Sequence, residues 1–511
     1  MFWLLMAPPL PAQELPALYR VDVPDYPGAL TSSDRGSLLS DRPEDVPWRH
    51  ASLAELDEIG PVGPISAWEA IAAMGVGAWH DAGHDGSGVK VAVFDVQWYG
   101  AALDEAELGA YETHDCFTHR SCAQPIDTLR PTFSFETGSH GVACAEVIRD
   151  IAPGAELHLV RVSGLTTLES AVAWAIREEI DIISMSLSFF NESFYDGTGD
   201  VNELVPALAE AGVLMVTSAG NYADQHYRGD FTDADADRHH DFGGLGLPVY
   251  LPAGSSTLYL LWDQFQSCGR TDLDLFVTDA DGAVVGWGAD AQSPDADRCF
   301  PGERTSVQLD EPGWRYIQLR RSGGTGSTRF DIHTRRGEIF GFTAAGSITD
   351  PGTHPLAMTV GAVRATSYLQ SPVEAFSSQG PTSSGLAKPD IAGPNGLSSS
   401  VYGPTGFYGT SASTPAVAGA LALVMSREPG IDAYAAAERL RGWALRPAGS
   451  VAWSAHDPAE GAGRARLPDP TLLDGGCLGR GGTQAGLLAP LLLAGLRRRR
   501  RSGYTARQEE P

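Results

Sequence analysis

Val89-Lys90-Val91-Ala92-Val93-Phe94-Asp95 is a short apolar run that ends on a carboxylate. It reads as a strand of a parallel sheet, because such strands are covered on both faces and need no polar alternation. Similar runs occupy residues 157–162, 180–187 and 213–218, with helical stretches at 168–177 and 201–211 between them. Strands alternating with helices of this length predict βαβ units and an α/β domain on a central parallel sheet. In such sheets reactive groups gather at the carboxyl ends of strands. Asp95 and Asn221 both fall there.

Outward from this core the pattern changes. Residues 228–343 hold short alternating strands at 258–262, 273–278, 283–287, 314–319 and 330–333, separated by Gly, Asp and Pro turns. That predicts an all-β sandwich inserted into the α/β domain. The α/β pattern resumes at 356–363 and continues to Trp443. The chain therefore divides into an α/β core at 76–227 and 344–450, the insert at 228–343, and a linker at 451–484. Residues 20–75, rich in Pro, Asp and Ser, read as an N-terminal extension or propeptide remnant with a helix near 65–74.

The 511 residues carry 64 acidic and 36 basic side chains, a formal charge of −28, which excludes the basic face of a nucleic-acid binder. The chain suits work outside the cell as a monomer. Cys116 with Cys122, and Cys268 with Cys299, are candidate disulfides of an oxidising compartment. Cys144 lies in an apolar helix and reads as a buried thiol. Residues 1–19 resemble the latter part of a signal peptide without its basic start. Gly475-Gly476-Cys477, an apolar run at 485–496 and Arg497 to Arg501 form a tripartite tail. Its apolar run is shorter than the roughly 20 residues of a spanning helix. The arginines fit the cytoplasmic side of a membrane, so the tail at 485–511 is expected to insert transiently or anchor. Secretion or display at the cell surface follows.

Four local signals carry chemistry. Asp95 closes its strand, where a carboxylate can hold an imidazole in one tautomer. His140 opens an apolar helix, and Gly141 after it permits close backbone approach. Asn221 ends Thr217-Ser218-Ala219-Gly220-Asn221, and its amide can donate to an oxyanion. Ser411 heads a helix after Gly409-Thr410, where backbone N–H groups face any developing negative charge. Taken singly, each also reads as an ordinary turn or helix-end residue.

Together they resemble the subtilase (subtilisin-like) family of serine peptidases. The resemblance rests on His140-Gly141-Val142-Ala143-Cys144-Ala145-Glu146, on Gly409-Thr410-Ser411-Ala412-Ser413-Thr414-Pro415, and on Ile182-Ile183-Ser184-Met185-Ser186-Leu187. It implies a subtilisin-like three-layer fold and an exported endopeptidase working through an acyl-enzyme. Ser411 would be the nucleophile, His140 the base and Asp95 its orienting group, with Asn221 in the oxyanion hole. Polypeptide substrates would lie as an added strand along Ser186, Leu187 and Ser188.

Departures mark a divergent branch. Val96-Gln97 follow Asp95 where the family has a hydroxyl residue and glycine, Glu146 replaces a glycine, and Ser188 replaces the groove glycine, where its side chain is expected to crowd a peptide. The insert, with Trp262-Asp263 and Asp272-Leu273-Asp274, resembles prepeptidase-type sandwiches, and the tail resembles sorting signals of myxobacterial surface proteins. The catalysis needs no cofactor. Asp233, Asp235 and Asp237 present acid at alternate positions, a spacing that allows a structural Ca²⁺. The reading from another functional class is a catalytically silent surface adhesion protein on the same scaffold.

Overall fold

The computed structural model describes residues 66–98, 105–126, 139–265, 271–292, 300–446 and 456–474, together with the backbone strand Ser37–Ser40. The leader, the tail with Cys477, and the pair Cys268 and Cys299 lie outside the described residues.

Seven parallel strands form the central sheet, in the order Ile391–Asn395, Met358–Arg364, Leu214–Ser218, Ile182–Met185, Lys90–Asp95, Glu156–Arg161 and Tyr111–Asp115. The innermost are wholly apolar or nearly so, since both of their faces are covered. One face takes the helices Leu165–Arg177 and Leu204–Ala211, whose Leu168, Ala171, Trp174, Val205 and Leu208 pack on Ala92, Phe94, Val160 and Met215. The other face takes the helices His140–Ile151 and Thr410–Arg427, which pack on each other and on the sheet. The result is a three-layer α/β/α arrangement.

The two strands that border the sheet, Tyr111–Asp115 and Ile391–Asn395, do not stand out as apolar runs. The expected strand at 180–187 divides in two. Ile182–Met185 stays in the parallel sheet, while Leu187–Phe190 leaves it. That second piece pairs antiparallel with Ser37–Ser40, Leu39 opposite Ser188 and Ser40 opposite Leu187.

Between His226 and Ile339 all strands are antiparallel. They form a four-stranded and a five-stranded sheet around a core that includes Trp262, Leu275, Ile317 and Phe330. A charge pair within this sandwich also reaches the α/β core, at Ser383. The Arg228 guanidinium forks onto Asp331 at 2.6 and 2.5 Å and donates to Ser383 Oγ at 2.7 Å. Although burial opposes ionisation of Asp331, the guanidinium holds its carboxyl well below the usual carboxylate range.

Candidate active site

The helix His140–Ile151 starts where the strand Lys90–Asp95 ends. Gly141 makes the approach close enough: a Cβ there would stand 2.8 Å from Asp95 Cβ and 2.7 Å from the Trp98 ring. Its N–H donates to Gln97 O at 3.1 Å. His140 Nδ1 thereby reaches Asp95 Oδ2 at 2.6 Å, with both side chains fully buried. The other carboxylate oxygen accepts from Gln97 N–H at 2.9 Å, and the Trp98 indole donates to Asp95 O at 3.0 Å. The backbone of Gln97 thus orients a carboxylate that has no neighbouring hydroxyl. An imidazole held at Nδ1 by a buried carboxylate keeps the tautomer whose Nε2 can take a proton.

Ser411 is the second residue of the helix Thr410–Arg427, and every side chain from Thr410 to Val424 is buried. Gly409 caps the helix at φ 103°, a left-handed conformation that suits glycine. A Cβ on it would also stand 2.8 Å from Asn221 Nδ2. Pro415 lacks the N–H that would bond the Ser411 carbonyl four residues back. That carbonyl accepts instead from Ser186 Oγ at 3.1 Å and from Cys144 Sγ at 3.8 Å. Cys144, a buried thiol, sits one turn beyond His140 and so links the two helices. Further along, Gly419 lets them cross closely, since a Cβ there would lie 2.9 Å from Ile151 Cβ. Phe407, just ahead of the serine, meets the His140 ring edge-on at 5.7 Å.

Asn221 stands beside this turn. Its Oδ1 accepts from Thr410 N–H at 2.9 Å and from Thr410 Oγ1 at 3.0 Å. Two donors on one side fix which amide atom is oxygen, so Nδ2 is turned the other way. Nδ2 is buried and has no hydrogen-bond partner among the described residues. Thr410 was not singled out by its chemistry in the sequence, although it stands next to Ser411.

Glu146 faces the loop that leads to the serine. It accepts from Ser400 N–H at 3.0 Å and from the Ser400 hydroxyl. Burial pushes its carboxyl up to about 7, against the lowering effect of those hydrogen bonds. On the same helix Asp150 accepts from Ala67 N–H at 2.6 Å, and burial pushes it up to about 6.

In the groove strand the Ser188 hydroxyl accepts from Thr349 Oγ1 at 2.9 Å, while its backbone stands opposite Leu39. Thr349 thus engages the Ser188 hydroxyl, and an extended strand of the same chain runs alongside. Cys116 and Cys122 are bonded. Asp233, Asp235 and Asp237 come within 4.8 Å of one another on the surface of the insert. Their oxygens also accept from the loop's own Asp237, Arg238 and His239 N–H groups.

The model of the Subtilase family, Peptidase_S8, matches residues 131–258 and 323–466, together just over half of the chain. His140, Asn221 and Ser411 lie inside the match, whereas Asp95 precedes it. No curated protein matches the chain. Among solved structures, the CspB protease of Clostridium perfringens aligns with a TM-score of 0.53 at 17% identity, over 80% of this chain and 99% of that one. MycP1 from Mycobacterium smegmatis aligns with a TM-score of 0.41 at 17% identity, over 81% and 87%. The prenylagaramide maturation protease PagA gives 0.41 at 13%, over 77% and 96%. Of these, the CspB likeness speaks for the fold alone.

Proposed function

The chain belongs to the subtilase family, and on that premise we propose that it is an exported serine endopeptidase with Ser411 as nucleophile, His140 as base and Asp95 as the group that orients it. In the first step Ser411 Oγ attacks the peptide carbonyl and its proton passes to His140 Nε2. The carbonyl oxygen becomes an oxyanion, which accepts from Asn221 Nδ2 and from backbone N–H at the start of the serine helix. Collapse of this intermediate breaks the C–N bond, and His140 returns the proton to the leaving amine. Water, deprotonated by His140, then hydrolyses the ester and restores Ser411.

The observation that supports this reading best is the Asn221 amide. A buried donor left without a partner costs about 1–3 kcal/mol. Thr410 nevertheless commits both of its donors to Oδ1, which leaves Nδ2 without an acceptor among the described residues. A scaffold used solely for adhesion has no reason to keep that arrangement, whereas a site awaiting an oxyanion does. The pairing of Ser37–Ser40 with Leu187–Phe190 adds a second support. The groove edge accepts an extended segment through backbone hydrogen bonds, as substrate addition along Ser186, Leu187 and Ser188 requires. Export fits the Cys116–Cys122 bond, which persists in oxidising compartments.

Labelling with a fluorophosphonate probe tests the reading. The folded, processed protein is expected to label, and Ser411→Ala to remain unlabelled. A folded wild type that stays unlabelled returns the chain to the adhesion reading.

A further inference from the structure

On the face of the sheet away from His140, we propose that Glu112, His114 and His158 form a binding site for a zinc-class divalent cation. The strands Tyr111–Asp115 and Glu156–Arg161 run parallel, with Glu112 opposite His158. Strand alternation places Glu112 and His114 on one face, and Glu156 and His158 on the same face of the neighbouring strand. Three candidate ligand atoms converge there. His114 Nε2 and His158 Nδ1 are 3.3 Å apart, and Glu112 Oε2 is 3.7 Å from each. Zinc binds imidazole nitrogen at roughly 2.0–2.1 Å, so two nitrogens on a tetrahedral ion stand about 3.3 Å apart.

The far side of each ring argues for the same occupant. His114 Nδ1 lies 3.3 Å from Cys122 O, and His158 Nε2 lies 3.1 Å from Glu156 Oε1. A carbonyl and a carboxylate can only accept, so each of those nitrogens carries the proton. The two near nitrogens then present lone pairs to each other, with a carboxylate oxygen beside both. Three electron-rich atoms facing one another in this way favour a cation between them. A carbonyl or carboxylate behind a metal-bound imidazole is also the usual outer support of such sites. Trp174 closes the inner side, its ring 4.3 Å from His114 and 5.7 Å from His158. Glu112 is exposed, which leaves the outer coordination position to water. Two imidazoles favour zinc and its neighbours over calcium or magnesium, which prefer all-oxygen sets.

Such an ion would tie the border strand to the sheet and steady the bonded loop Cys116–Cys122 behind His114. Its effect is therefore expected on stability, not on the chemistry at Ser411. The test is a Zn²⁺ titration of the chelator-stripped full chain by calorimetry, with metal content measured after dialysis. One Zn²⁺ per chain is expected, unaffected by excess Ca²⁺. Glu112→Gln, an exposed substitution that leaves the core intact, is expected to weaken binding at least tenfold, and His114→Ala to abolish it. Glu156→Gln is expected to weaken it about tenfold through His158. Asp237→Asn, in the acidic loop of the insert, is expected to bind as wild type. Fluorophosphonate labelling at Ser411 is expected to persist in all four variants, which separates this inference from the peptidase reading. Absence of Zn²⁺ uptake, with a proton shared between the imidazoles instead, overturns the proposal. So does uptake that Glu112→Gln and Glu156→Gln leave unchanged.

Discussion

The two helices that deliver His140 and Ser411 are held in different ways. The serine helix is buried on all sides and fixed by small residues, Gly409 at its cap and Gly419 at the crossing. The histidine helix carries Glu146 and Asp150, which fasten the Ser400 loop and the chain at Ala67 by accepted hydrogen bonds. One helix is located by packing, which pH does not touch. The other is located partly by carboxyls whose protonation lies within the working range of pH. A site built from both should be rigid at Ser411 and tunable at His140.

Chemistry offers the largest separation between them and a structural defect. Ser411→Ala and His140→Ala are each expected to lower kcat by about four to six orders of magnitude while the thermal midpoint stays near that of wild type. A variant of either residue that cleaves peptide at the wild-type rate removes that residue from the mechanism. Asn221→Ala comes next, with kcat expected to fall about 10²- to 10³-fold and KM little changed. A loss carried by KM instead would make Asn221 a substrate contact.

At the crossing, Gly419→Val drives a side chain into Ile151, whose Cβ already lies at contact distance. It is expected to cost about 3 kcal/mol in denaturant unfolding, equally at pH 5 and pH 8. The smallest effect is expected at Glu146, and it depends on pH. Folding raises its affinity for a proton from the ordinary 4.5 to about 7, and that of Asp150 from 3.8 to about 6. The stability they contribute is complete below pH 4 and is lost as pH rises through 6 and 7. Glu146→Gln removes the larger share, so it is expected to exceed wild type in stability by about 1–2 kcal/mol at pH 8 and to flatten the decline. An unchanged slope between pH 5 and pH 8 would mean that Glu146 is not the group that titrates.

Legibility in the sequence follows the same division. Strands covered on both faces, such as Lys90–Asp95 and Leu214–Ser218, announce themselves as apolar runs whose polar residues are confined to the ends. The border strand Tyr111–Asp115 reads Tyr-Glu-Thr-His-Asp and escaped notice, since a strand with one neighbour need not be apolar. Its Glu112 and His114 acquire meaning only beside His158, 44 residues on from His114. In the insert, polar residues break up the apolar pattern of His226–Asp230 and Gly302–Leu309, and Pro248 interrupts that of Leu247–Leu251.

At the candidate site the proposed residue types were nameable from the sequence, because few groups can act as nucleophile, base or oxyanion donor, and each needs a particular local setting. The sequence by itself determined the alternation of strand and helix, the turn that sets Ser411 at a helix start, and the glycine behind His140. These depend on backbone conformation and residues a few positions apart. Only the tertiary structure decided that Thr410 turns the Asn221 amide, that Ser186 and Cys144 hold the carbonyl released by Pro415, and that Glu146 fastens Ser400. Each of those joins atoms on separate elements. Hydrogen-bond direction is set by the three-dimensional positions of donor and acceptor, which spacing along a chain does not encode.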